Sequence, residues 1–155
     1  MEEFSKTNCV EAAGASCEDA LVARVLKLHE DRCNCAQSIA CAFADCTPYD
    51  SDTLFRMMEG FGAGMGGHTE TCGAVSAGVA VISACASDGM ERRTTKEATY
   101  VVTRDFVEAF AAKHGTTVCG ELKKISPVPT PHRCDHYMDH AARLLARTLG
   151  SLKAE

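Results

Sequence analysis

The residues of this sequence that could carry out chemistry are above all its ten cysteines. The N-terminus, MEEFSKTNCVEA, is acidic and lacks the apolar stretch of a secretion signal, so we expect a cytoplasmic protein. Thiols stay reduced in that compartment unless a metal or a redox cycle uses them. The chain contains no CxxC, so zinc ribbons, thioredoxin chemistry and covalent haem attachment lack their sequence signatures.

Three cysteines stand where the sequence predicts the start of a helix. Asn34 is expected to cap a helix that begins at Cys35, Cys72 precedes a run of small apolar residues, and Cys134 follows the proline-rich stretch SPVPTP. A thiol at a helix N-terminus lies near the positive end of the helix dipole, which favours the thiolate. Cys119 is expected in a turn after a long helix. This placement predicts thiolates that react or bind metal.

The other cysteines have no such placement. Cys41 and Cys85, in ACAF and ACAS, are interpreted as small buried hydrophobic residues. The sequence leaves the roles of four more undecided: Cys9, Cys17, Cys33 and Cys46.

Histidines surround one of these cysteines. His132, His136 and His140 bracket Cys134, and the last two histidines lie one helical turn apart. They could tune a metal centre or bind a separate metal, but their charged neighbours favour a solvated helix face. His68, just before Cys72, is the better candidate for contact with a site cysteine.

The elements that must position these side chains are predicted to be helices. Hydrophobic spacing indicates a single all-α domain over residues 16–150, a compact bundle of five to six helices, after a flexible segment at residues 1–15. The small apolar run from Cys72 to Ala86 predicts a helix in the middle of the bundle. A long helix is expected to end at Gly115. It is expected to face the core with five residues: Tyr100, Val101, Phe106, Val107 and Phe110.

The segment Gly60–Gly67 (GFGAGMGG) interrupts this helical pattern. Five of its eight residues are glycine, so we expect a glycine-rich loop between helices rather than a regular helix. Phosphate-binding loops follow a strand and carry a lysine, and both features are missing here. A net charge of −5 also argues against nucleic acid as a partner, and no run of about 20 apolar residues predicts membrane insertion.

Four short motifs occur in order over about residues 20–149: NCAQ at 34–37, GFG at 60–62 leading to ETCGA at 70–74, CGEL at 119–122, and Cys134. Together they resemble the C_GCAxxG_C_C family of putative redox-active proteins. The chain departs from the family at Ala77, where the family has glycine, although Gly78 follows. The added methyl group is expected to narrow the space against the facing backbone.

The resemblance implies a helical domain whose four hallmark cysteines are Cys35, Cys72, Cys119 and Cys134. A similar domain lies beside the haem region of split-Soret cytochromes, where it is associated with an iron–sulfur centre. The resemblance therefore implies a [2Fe–2S] cluster and electron transfer to a protein partner that the sequence does not identify. The oligomeric state stays open, with a homodimer among the alternatives.

Two other functions remain open at this point. The same cysteines could serve a thiol–disulfide oxidoreductase, which needs an exposed thiol of low pKa. They could equally hold zinc or iron in a structural or sensing domain. An electron carrier is favoured over a catalyst.

Overall fold

The computed structural model describes residues 15–154, and within these residues the chain folds into α-helices and short single turns. Eight α-helices lie in this part of the chain: α1 (Ala15–Glu30), α2 (Cys35–Ala42), α3 (Ser51–Met58), α4 (Gly73–Ala86), α5 (Gly89–Arg92), α6 (Lys96–His114), α7 (Cys119–Ile125) and α8 (Asp135–Ala154). The all-α prediction is confirmed. The predicted number of five to six helices was too low, because the short α5 and α7 were not recognised as helices.

The β structure in the described region is limited to one isolated bridge, between Thr71 and Val118. The predicted flexible segment 1–15 lies outside the described residues except for Ala15, the first residue of α1. None of the helices in residues 15–154 combines the length and the apolar character needed to cross a bilayer.

Helix α4 occupies the middle of the bundle, where it packs against α2, α6 and α8. Its small apolar residues allow this position, since Ala74, Val75 and Ala77 are all buried without solvent contact. The predicted central position of this helix is confirmed. Its closest packing occurs at Gly78, because a Cβ atom there would lie 2.4 Å from Cζ of the Phe106 ring.

Gly78→Ala is expected to destabilise the protein by about 1–3 kcal/mol, the usual range for an overpacked core. Phe106 is 1% exposed, so its ring has little room to move away from an added methyl group. Urea unfolding of the metal-free protein measures the change. Gly60→Ala is the control, because nothing lies within 4 Å of a Cβ at that position. Equal stability of the two variants would contradict this description of the core.

Helix α6 presents a different face to the core from the one predicted. Phe106 and Phe110 are buried as expected, but Tyr100 is 64% exposed and Val101 is 47% exposed. Thr99, which is only 9% exposed, takes the inward position in the first turns of the helix. Residues 99, 106 and 110 share one face at a period of 3.6, so residues 100 and 101 must point away from it. The predicted end of the helix is confirmed, since Gly115 follows His114 with a φ of +81°.

The glycine-rich segment between α3 and α4 forms two tight turns rather than an open loop. Glu59–Phe61 makes a single 3₁₀ turn, and Gly64–His68 makes a wider irregular turn. Three non-glycine residues have positive φ in this region: Ala63 at 53°, Met65 at 60° and His68 at 63°. Such residues cost conformational energy and concentrate at functional sites. The tightness of these turns brings their backbone close to two cysteines, as described below.

Candidate functional site

Each of the four hallmark cysteines lies at the start of a helix. Cys35 is the first residue of α2, Cys72 is the N-cap of α4, and Cys119 is the first residue of α7. Cys134 ends a single 3₁₀ turn that leads directly into α8. The predicted placement is confirmed for three of them, whereas Cys119 begins a helix instead of lying in a turn.

The start of α2 is fixed by a capping box. The Asn34 side chain accepts a hydrogen bond of 2.9 Å from the Gln37 N–H, and the Gln37 side chain accepts one of 3.0 Å from the Asn34 N–H. This reciprocal pair satisfies two of the N–H groups that a helix start leaves open. Asn34 also donates to the Glu59 carbonyl oxygen, which ties the turn after α3 to the helix that carries Cys35.

Two backbone hydrogen bonds hold Cys72 beside Cys119. The Cys72 N–H donates to the Thr117 carbonyl oxygen at 2.7 Å, and the Cys119 N–H donates to the Glu70 carbonyl oxygen at 2.9 Å. They flank the bridge between Thr71 and Val118 and join two distant segments. The starts of α4 and α7 are therefore fixed side by side.

Glycines let backbone segments approach the thiols closely. A Cβ atom at Gly73 would lie 2.5 Å from the Cys35 Sγ and 2.9 Å from the Phe61 carbonyl oxygen. A Cβ atom at Gly64 would lie 2.6 Å from the Cys119 Cβ. The start of α4 therefore lies against Cys35, and the turn at Gly64 lies against Cys119. Side chains larger than that of glycine would prevent both contacts.

Cys134 lies in the same part of the fold as the other three cysteines. The Tyr137 hydroxyl of α8 donates to the Leu122 carbonyl oxygen of α7 at 2.7 Å, which packs the start of α8 near the start of α7. Burial is the largest influence on the pKa of Cys134, and the charges of Cys35 and Cys119 also raise it. Four cysteine sulfurs are a ligand set of zinc sites and iron–sulfur clusters, so the donor chemistry fits such a group. Within residues 15–154, however, no three Cys, His, Asp or Glu side chains already form a metal-binding group.

Burial, and not the helix dipole, dominates the protonation of these thiols. It is the largest cause that raises the pKa of Cys72, to about 12, and it also raises the pKa of Cys119 and Cys134. The prediction of thiolates at helix starts is therefore wrong for Cys72 and Cys134 in the metal-free protein. At Cys72, removal from water disfavours the charged form more strongly than the hydrogen bonds of the Ala74 and Val75 N–H groups favour it.

His68 contacts one of the four cysteines. Its Nδ1 lies 3.6 Å from the Cys119 Sγ and 3.0 Å from the Lys123 Nζ. The structure thus supports the predicted preference for His68 as a neighbour of the site. Lys123 gave no signal in the sequence, because its contact is with a residue far away in the chain. The Glu70 side chain is exposed, and only its carbonyl oxygen takes part in the bonds described above.

The histidines of α8 do not form the solvated face that their neighbours suggested. His140 and His136 are partly buried against α6, and the His140 Nδ1 lies 2.9 Å from the His114 Nε2. The His140 ring stacks on Phe110 with 5.7 Å between ring centroids. His132 is exposed as expected and pairs with Asp135. His114 was missed, because its partner lies on another helix.

Acid is expected to destabilise the bundle through His140. Burial, followed by the charges of Lys113 and His114, lowers the pKa of His140 to about 4, against an ordinary value of 6.5. The unfolded chain therefore binds the proton first, and stability is lost as the pH falls from about 6.5 towards 4. Urea unfolding at several pH values should show this loss, with a smaller dependence on pH in His140→Gln. An unchanged dependence in the variant would contradict this assignment.

Two of the other cysteines, Cys41 and Cys85, make hydrogen bonds to backbone oxygens. Cys41 is buried, and its Sγ lies 3.5 Å from the Ser51 carbonyl oxygen. Cys85 is partly buried, packs against the core and donates to the Cys46 carbonyl oxygen at 3.0 Å. The prediction of buried packing residues is confirmed for Cys41 and holds in part for Cys85. Cys9 lies outside the described residues.

These features define an all-α protein in which four cysteines from four helix starts share one region. The chain belongs to the family described as putative redox-active protein (C_GCAxxG_C_C), whose model matches residues 33–148. All four hallmark cysteines fall inside the matched range. Comparison with curated proteins and with solved structures finds no match.

Proposed function

We propose that this protein is an electron carrier that binds an iron–sulfur cluster of the [2Fe–2S] type through Cys35, Cys72, Cys119 and Cys134. The observation that carries the proposal is that backbone hydrogen bonds and close glycine contacts hold the helix starts at Cys35, Cys72 and Cys119 together, and that the start of α8, with Cys134, packs beside them. Membership of a family described as redox-active supports the same conclusion. The cluster, when bound, supplies one-electron redox chemistry.

The residues of the chain have separable tasks in this proposal. The four thiols act as ligands, and they release their protons on binding metal because a thiol that coordinates a metal is deprotonated. The Ala74 and Val75 N–H groups at the start of α4 favour negative charge on the Cys72 sulfur, although burial has the larger effect on its pKa. Burial of Cys72 and Cys119, at 7% and 5% exposure, keeps water away from the bound group and contributes to its potential.

The thiol–disulfide alternative receives less support from the geometry. An attacking thiol must be exposed and of low pKa, whereas burial raises the pKa of Cys72, Cys119 and Cys134. Zinc held by the same four thiolates is the remaining alternative. It predicts a colourless protein that takes up no electrons, because zinc has no redox chemistry.

Anaerobic purification followed by reduction with dithionite tests the proposal. We expect a coloured protein whose absorption bleaches on reduction and which then gives the electron paramagnetic resonance signal of a one-electron-reduced [2Fe–2S] cluster. A protein that stays colourless after reconstitution with iron and sulfide would contradict the proposal. A colourless protein that contains zinc would favour the structural alternative.

A further inference from the structure

One cation, Lys123, is held close to the four-cysteine region. Helix α7 begins at Cys119, so Lys123 follows one helical turn later on the same face. Its Nζ lies 3.0 Å from the His68 Nδ1, and that nitrogen lies 3.6 Å from the Cys119 Sγ. Lys123 is partly buried, whereas the neighbouring Lys124 is exposed.

The Lys123 ammonium group makes a hydrogen bond with His68 at the surface of the protein. Lysine has donors and no acceptor, so the His68 Nδ1 accepts the hydrogen bond. His68 belongs to the tight turn Gly64–His68, whose backbone rests on the start of α7. A Cβ atom at Gly120 would lie only 2.8 Å from the His68 carbonyl oxygen. The turn is therefore packed against the start of α7, which places His68 beside Lys123.

Lys123 lies beside Cys119, because the His68 Nδ1 contacts both the Lys123 Nζ and the Cys119 Sγ. Burial is the largest influence on the pKa of Cys119 and raises it, whereas the charge of Lys123 lowers it. Lys124 is exposed and, as the next residue of α7, faces another direction around the helix. The two adjacent lysines therefore provide a matched pair.

We propose that Lys123 tunes the midpoint potential of the four-cysteine centre by placing a positive charge beside Cys119. The inference rests on the proposed electron-carrier function. Reduction adds one electron, taken from an external reductant, and makes the centre one unit more negative. A nearby cation stabilises that reduced state and raises the potential. Lys123 therefore acts through its positive charge and is not a ligand of the centre.

Potentiometric titration of the reconstituted protein with dithionite tests this inference. Lys123→Met is expected to reduce the equilibrium constant for electron uptake about tenfold, which corresponds to about 59 mV for one electron. Lys123→Arg keeps the charge and should restore most of the potential. Lys124→Met, the matched control, should leave it nearly unchanged. Equal potentials in the two methionine variants would overturn the inference.

A second measurement separates this inference from the proposed function. In the reduced, metal-free protein, Lys123→Met should slow alkylation of Cys119 by iodoacetamide at fixed pH, compared with Lys124→Met, because the thiolate loses its nearby cation. Failure of the wild-type protein to bind iron would contradict the proposed function alone. The alkylation rates then decide on Lys123: a slower rate supports its action on Cys119, and an equal rate overturns it.

Discussion

Replacing any one of Cys35, Cys72, Cys119 and Cys134 with serine is expected to abolish the iron centre. Each side chain contributes one of the four proposed sulfur ligands, and a serine hydroxyl is a much poorer ligand for iron in such a centre. The measurement is the iron and sulfide content per chain after anaerobic reconstitution, with the absorption spectrum of the same samples. We expect at least a tenfold loss of iron in all four variants.

The matched controls are Cys41→Ser and Cys85→Ser, because both cysteines bond to backbone oxygens away from the site. Both variants should retain the centre. Iron loss in all six variants would contradict the selection of these four cysteines. Circular dichroism of the metal-free variants shows whether a lost centre reflects a lost ligand or a lost fold.

Gly73→Ala is the second change from which we expect a large effect. The added Cβ would lie 2.5 Å from the Cys35 Sγ, and 2.9 Å from the Phe61 carbonyl oxygen. The Cys35 thiol could rotate away from the added methyl group. The Phe61 carbonyl oxygen, however, cannot move without displacing the turn Glu59–Phe61. We therefore expect destabilisation of about 1–3 kcal/mol, together with a large loss of iron binding, since Cys35 is pushed from its position.

Gly60→Ala is the control for this change, since its Cβ would meet no atom within 4 Å. Urea unfolding of the metal-free proteins measures the change in stability, and iron content after reconstitution measures the change in iron binding. If Gly73→Ala loads iron as well as Gly60→Ala does, the contact between α4 and Cys35 has no part in the site.

The parts of the fold that local pattern decides could be predicted from the sequence. The helix α4 is apolar on all sides, and only the middle of a bundle can bury such a helix. Gly115 ends α6 because it adopts the left-handed conformation there. The face of α6 could not be predicted in the same way. Tyr100 and Val101 are apolar, yet the packing of α4 and α8 leaves them exposed.

The candidate site, too, could be predicted only where local sequence patterns determine it. Capping residues and small residues indicated the helix starts at Cys35 and Cys72, because these signals are local. The adjacency of Cys72 and Cys119 depends on backbone hydrogen bonds between distant segments, which no local pattern reveals. The expectation of thiolates failed for the same reason. A helix start is visible in the sequence, whereas the burial that raises the pKa of Cys72 arises only from tertiary packing.

The histidines show how a charged neighbourhood can mislead. Asp135 and Asp139 suggested a solvated face, but Asp139 pairs with Arg143 on the same helix. His140 turns towards α6 and meets His114. Spacing along one helix identifies which residues share a face, but it does not identify the helix that this face contacts.

Iron and acid-labile sulfide analysis of the anaerobically reconstituted protein tests the central claim most directly. The claim predicts two iron and two sulfide per chain, bound by the four cysteines and lost together when any one of them is replaced. A wild-type protein with neither iron nor sulfide, with all four thiols free to react with a thiol reagent, would contradict it.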